Sequence, residues 1–524
     1  MPNHYSDPLF QLIRSLQKSE KRNFKLYIKR NSANEDLKIV QVFDVLDKMS
    51  SYDDAILLKK LPNIKKQQLS NIKAHLYKQL LASLRLLSSD ENIDIQLHEQ
   101  LDFARILYNK GLYLQSLKIL DRLKELAHSY HQDSFLIQFI SLEKKIETLH
   151  ITRSTENRAD RLSVEANEVN EKRRKITQLS NLALQLYSWY IKYGHARNET
   201  DEEKVKKFFR ENLPPDANEQ KDFYERLYFH QCYSWYAFIR QDFLLYYRHT
   251  QKWVDLFNNE PRMILVEAGH YIKGIHNLLN AHFDLRNYFL FERTLEEFES
   301  FGNSTAGREN ENIRIQIFIY LTTARINYHF MKGSFKEGLT LVPFIEEKLE
   351  EYGTYIDSHR VLLFYYKIAS LYFGSGKFSS AIDYLQKIIN RKVDLRNDLL
   401  CYARLMHLLA HYELGNFTII DHLTRSVYRF MAKMENLTVI EEEVFRFLGN
   451  TLHFSNRQLK PEFEKLLNRI KQFEKSRFET RSFAYLDIIS WLEGKAYDKP
   501  MAEVIREKYL ASSRRMTQTP HAFS

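Results

Sequence analysis

Residues 365–388 read YYKIASLYFGSGKFSSAIDYLQKI, and in their middle two phenylalanines, Phe373 and Phe378, bracket the tetrapeptide GSGK. On either side the apolar residues recur at helical spacing: Tyr365, Ile368, Ala369 and Tyr372 before the bracket, Ala381, Leu385 and Ile388 after it. Glycine in the tetrapeptide supplies the turn, so the stretch is a helix-turn-helix. Five further brackets repeat it: Tyr108-NKGL-Tyr113, Phe238-IRQD-Phe243, Phe283-DLRN-Tyr288, Phe330-MKGS-Phe335 and Tyr412-ELGN-Phe417. From Phe243 onward the second aromatics fall at intervals of 45, 47, 43 and 39 residues. A regular interval of this size marks a helical repeat.

The chain has 524 residues, more than one ordinary core holds, so it is either several domains or an array that grows by adding units. Only 14 glycines and 10 prolines are present, as expected where few residues are spent on turns and most lie in helices. The abundance of Phe and Tyr suits broad helix-helix interfaces. Cys232 and Cys401 are too few for a disulfide framework or a cysteine zinc site, and both sit in apolar helical runs as small core residues. The start MPNHYSDPLFQLIRSL lacks a basic-then-apolar leader, and no long uncharged apolar run appears, so no membrane partner is expected. The chain therefore reads as soluble, reducing and cytoplasmic.

The segment 365–388 resembles a tetratricopeptide repeat, because Tyr365, Ile368, Ala369, Tyr372, Gly376, Phe378, Ala381, Leu385 and Ile388 fall on that repeat's signature spacing. Residues 100–123 match it in part through Ala104, Gly111, Tyr113, Ser116, Leu120 and Leu123. The intervals exceed the family's usual length, which implies longer helices. The resemblance implies an all-α chain: a right-handed α-solenoid of such hairpins in which rings like Phe378 wedge neighbouring hairpins apart. Residues 1–90 read as a basic helical N-terminal cap, with Pro8, Pro62 and a capped KRNFKLYIKR helix as landmarks. Residues 91–215 read as partly degenerate hairpins, with separate helices expected over 161–175 and 176–193. Residues 216–511 form the main array, and 512–524 a disordered tail. Pro214-Pro215 marks a bend or soft boundary.

Several motifs imitate chemistry. GSGK at 374–377 lacks the upstream glycine and the hydroxyl residue of a phosphate-binding loop, and it follows a helix rather than a strand. His407 and His411 share a helical face but have no third ligand, and His270, His276 and His282 read as packed or solvated. Lys172 to Lys175, KRRK, follows Glu168 and Glu171 at the spacing of helical ion pairs. No nucleophile elbow, paired-cysteine motif, dinucleotide loop or acid cluster with catalytic spacing occurs. The reading is a non-enzymatic chain with no cofactor and no metal.

Two surfaces are candidates for binding. In the repeats this chain resembles, the first helix of each hairpin lines a concave groove. Carried over by the bracket, its contact positions are Tyr228, Gln231, Trp235, Lys273, His276, Asn280, Tyr320, Asn327, Tyr366 and Ser370. Aromatic and amide residues in such a row suit a protein or peptide partner. The second surface follows from charge: the net charge is +10, and most of the excess lies in residues 1–90. Lys21, Arg22, Lys25, Lys29, Arg30, Lys59, Lys60, Lys65, Lys66 and Lys73 form a candidate anion-binding patch through which nucleic acid could dock.

Overall fold

A computed structural model describes residues 7–31, 36–88, 92–149, 157–308, 310–353, 355–391, 397–434, 437–451, 454, 456–474, 476–479 and 486–515. All regular structure among them is helical, and none of these helices is long and apolar enough to cross a membrane. The chain divides into two compact units, Met1–Asn170 and Glu171–Ser524.

In the first unit, Asp7 caps the Pro8–Ser15 helix by accepting from the Leu9 and Phe10 amides. Lys18–Asn31, Asp36–Lys48, Asp54–Lys60 and Lys66–Ser88 follow, much as the pattern predicts. Their apolar faces close a core around Ile13, Phe24, Val42, Phe43 and Leu76. The Ile93–Asn109, Tyr113–Ser129 and Asp133–Leu149 helices have a separate core around Leu97, Ala104, Leu120 and Phe139. The cap thus supports itself on its own buried residues. Glu143 is buried beside this second core and is held by Lys124 at 2.9 Å and Arg158 at 2.7 Å.

The bracket has a single backbone meaning. In all six, the third residue of the tetrapeptide has positive φ: Gly111, Gln241, Arg286, Gly333, Gly376 and Gly415. The next amide bonds back to the carbonyl five residues earlier, as in Leu112 to Leu107 at 2.9 Å and Lys377 to Tyr372 at 2.9 Å. This left-handed stop ends one helix, and the second aromatic is the first residue of the next. The same turn without its rings occurs at His131, which explains a hairpin the aromatic spacing does not mark.

The rings are less buried than the wedge expectation requires. Phe373 meets Phe378 at 5.3 Å and Phe330 meets Phe335 at 5.9 Å, but Phe378 is half-buried and Phe417 is 48% exposed. Phe373 and Tyr412 are buried before their turns and Phe335 after its own, while the other rings of the six brackets are half-buried or exposed.

The helices expected over 161–175 and 176–193 are one, Arg158–Tyr193, because no glycine, proline or cap interrupts the run. The division between the units falls inside it. Lys172 and Lys175 reach across to another element, while Arg174 of the same basic run pairs along the helix with Glu171. Lys172 binds Asp222 at 2.7 Å, and Lys175 donates to the Glu219 carbonyl at 2.7 Å, so both hold the loop that carries Pro214 and Pro215.

In the second unit, hairpin packs on hairpin around a continuous core that includes Trp253, Phe291, Ile326, Leu371 and Leu405. Its C-terminal part then turns back on the array. Trp491 Nε1 donates to Glu413 at 2.6 Å, Tyr509 packs edge-on against Tyr288 at 4.9 Å, and Arg477 joins Arg240 on the buried Glu202. The expected tail starts in an ordered 3-10 turn, Ser513–Arg515, with Arg514 donating to the Leu285 carbonyl. The rest of that tail lies outside the described residues.

Candidate functional site

Four helices of the second unit, Phe223–Ile239, Ala268–Asp284, Glu311–Lys332 and Ser358–Gly374, each offer a pair of positions two turns apart. The pairs are Tyr228 and Trp235, Lys273 and Asn280, Tyr320 and Asn327, Arg360 and Lys367. Their side chains interlock from helix to helix. The Lys273 ammonium lies 5.6 Å from the Trp235 ring centre and 5.0 Å from that of Tyr320. Arg360 lies 5.2 Å from the Tyr320 ring and donates to its hydroxyl at 3.1 Å. Lys367 donates to Asn327 Oδ1 at 2.6 Å. The His276 ring packs 4.4 Å from Tyr320, and the Asn280 amide donates to its Nε2 at 3.1 Å.

The electrostatics of this strip are one-sided. Burial and the charges of Lys273, Lys367 and Arg360 hold His276 well below its usual value, so it is neutral and cannot share the positive charge. Burial alone would raise the Tyr320 phenol, but Lys273 and Arg360 outweigh it and hold the phenol low. Burial brings Lys367 down to about 8. Arg360 reaches Asp357, the N-cap residue of its own helix, at 3.1 Å. Among the described residues neither Lys273 nor Lys367 forms an ion pair; their partners are neutral rings and an amide. Cationic groups partly withdrawn from water without a counter-charge favour an incoming anion.

Of the groove residues expected from sequence, Trp235, Lys273, His276, Asn280 and Tyr320 belong to the strip, and Asn327 supports it from behind Lys367. Tyr366 does not: it is only 4% exposed, because one residue before Lys367 lies a quarter-turn or more around the helix and points into the core. Ser370 is half-buried and donates to the Tyr366 carbonyl at 2.9 Å. Gln231 is buried against His270 at 3.0 Å, and Tyr228 packs edge-on to the same ring. Arg360 and Lys367 were not singled out, although two cations seven residues apart on an apolar helix are visible in the sequence. The bracket spacing points instead to Ser370, whereas the partners across the strip stand 40 residues apart. Helices cross at a depth set by packing rather than by distance from the turn.

Among the described residues the cap patch separates into cations that form ion pairs and cations that do not. Lys21 binds Asp47 and Lys25 binds Asp44, each at 2.6 Å, and Lys73 is tied to Asp7 and Tyr52. These three serve the cap's own packing. Arg22, Lys29, Arg30, Lys59, Lys60, Lys65 and Lys66 are exposed, and Lys18, Arg22 and Lys29 edge a shallow groove of about 370 Å³ along one helix face.

The remaining motifs have local explanations. A Cβ on Gly374 would lie 2.4 Å from the Phe335 ring, and Gly376 takes φ +80, so GSGK is a turn shaped by packing. His407 and His411 pack edge-on at 4.5 Å, and no cluster of three metal-binding side chains exists among the described residues. His282 is buried, and His270 is engaged by Gln231. No known family model, curated protein or solved structure matches this chain.

Proposed function

We propose that the chain is a non-enzymatic cytoplasmic scaffold, a right-handed α-solenoid of tetratricopeptide-like hairpins, that holds an acidic segment of a partner protein along the strip from Trp235 to Lys367. The observation that carries this reading is the convergence of Lys273, Arg360 and Lys367 on a neutral His276 without an ion pair at either lysine among the described residues. A peptide is favoured over nucleic acid here because the Trp235 and Tyr320 rings are already covered by cations and are not free to stack bases. The test is fluorescence anisotropy with a labelled glutamate-rich peptide, using a lysine-rich peptide as control. Lys273→Glu with Lys367→Glu is expected to weaken glutamate-rich binding by about 100-fold or more with the helical signal unchanged. Equal affinity for the two peptides, or undiminished binding by the variant, refutes the reading.

A second reading rests on the exposed cap cations, through which the chain would dock on nucleic acid. Affinity for single-stranded RNA should then fall linearly in log salt, by roughly 0.7 per phosphate neutralised. Arg22→Glu with Lys29→Glu should lower both affinity and slope; a slope unchanged by the pair removes this reading.

A further inference from the structure

The Phe417–Lys433 and Val439–Thr451 helices enclose an open groove of about 510 Å³, away from the strip described above. Asp421, Thr424, Arg425, Tyr428 and Arg429 line one wall; Glu442, Phe445, Arg446 and Gly449 line the other. The Tyr428 ring stands edge-on to Phe445 at 5.6 Å and is 42% exposed.

Two features of this groove do nothing for the fold. Gly449 lies inside a helix, where glycine costs about 1 kcal/mol relative to alanine, yet a Cβ there would meet nothing within 4 Å and its backbone is not left-handed. The missing side chain leaves the groove open and has no other structural consequence. Second, Arg425 is neutralised by Asp421, but Arg429 donates only to the Arg425 carbonyl and forms no ion pair among the described residues.

We propose that this groove is a binding site for a small aromatic carboxylate, with the ring against Tyr428 and Phe445 over Gly449 and the carboxylate held by the Arg429 guanidinium. An arginine fork matches a carboxylate in shape and charge, aromatic walls select a ring, and the volume is that of a small-molecule site.

The test uses the full chain and three probes: benzoate, benzyl alcohol and acetate, read by saturation-transfer NMR and calorimetry. Benzoate is expected to bind at least about tenfold more tightly than either probe lacking the charge or the ring. Gly449→Leu should fold, since a Cβ there meets nothing within 4 Å, and should lose benzoate binding. Arg429→Gln should weaken benzoate by about tenfold and leave benzyl alcohol unchanged. The proposal is overturned if the wild-type chain does not bind benzoate, if the leucine variant binds it as well, or if light scattering shows a second copy covering the groove.

Discussion

Gly333→Ala is expected to cost about 3 kcal/mol or more and to loosen the C-terminal helix, while Gly376→Ala costs about 1 kcal/mol and loosens nothing. Both glycines occupy the left-handed position of a bracket, with φ +68 and +80, so the backbone penalty of a side chain is the same. Their surroundings differ. A Cβ on Gly376 meets nothing within 4 Å, but one on Gly333 would lie 2.4 Å from the Ala502 carbonyl oxygen and 2.9 Å from the Arg506 amide. Those atoms are main chain of the Met501–Ala511 helix, so no rotamer change relieves the clash and the helix must move. Moving it uncovers Val504 and Ile505 and separates Tyr509 from Tyr288. Urea unfolding of the two variants measures the costs, and hydrogen exchange over 501–511 locates the damage. Equal costs, or undisturbed exchange at that helix, would show that the helix does not rest on Gly333.

That contact also shows where sequence reading stops. The bracket was legible because a left-handed stop between two helices recurs with rings on both sides, and local chemistry dictates it. Its second half at 241 and 286 needed only tolerance, since Gln241 and Arg286 take the same positive φ without glycine. The return of the C-terminal helices was not legible, because no local pattern records that Arg477 finds Glu202 or that Trp491 finds Glu413. Arg477 and Glu202 lie 275 residues apart and Trp491 and Glu413 lie 78 apart, and a purely nearest-neighbour array would forbid the first. The strip lies between these extremes. Helical periodicity locates Lys273, His276 and Tyr320, but the depth at which the next helix crosses decides whether Tyr366 or Lys367 completes the face. A shift of one residue turns a buried phenol into a cation.

Acidification is expected to destabilise the second unit well above the range in which carboxylates titrate. Burial, with nearby positive charge for the first two, holds His230 at about 3, His249 at about 4 and His282 at about 3. His230 and His249 also contact each other through Nδ1 atoms 3.2 Å apart, which suits a neutral pair. For a histidine whose folded value lies below the unfolded value of about 6.5, the unfolded chain takes up the proton first. Stability is therefore complete above about pH 6.5 and falls, by about 1.4 kcal/mol per pH unit for each group, until the folded value is reached. One group opposes this: burial raises Asp284 to about 7, so its carboxyl binds a proton in the folded state first. Three histidines against one carboxyl leave a net uptake of two protons, or about 4 kcal/mol lost between pH 6.5 and 5. His276 and His407, both held low by burial, add to the same side. Glu202, which burial would raise but Arg240 and Arg477 together hold below its ordinary value, contributes only at lower pH, so the two ranges separate. His282→Leu isolates one term, since its buried Nδ1 has no hydrogen-bond partner and its loss leaves nothing unpaired. The variant should match the wild type at pH 7.5 and have a shallower stability slope between pH 6.5 and 5 by about one proton. An unchanged slope would mean that His282 titrates alike in the folded and unfolded chain, and the burial argument would fail with it.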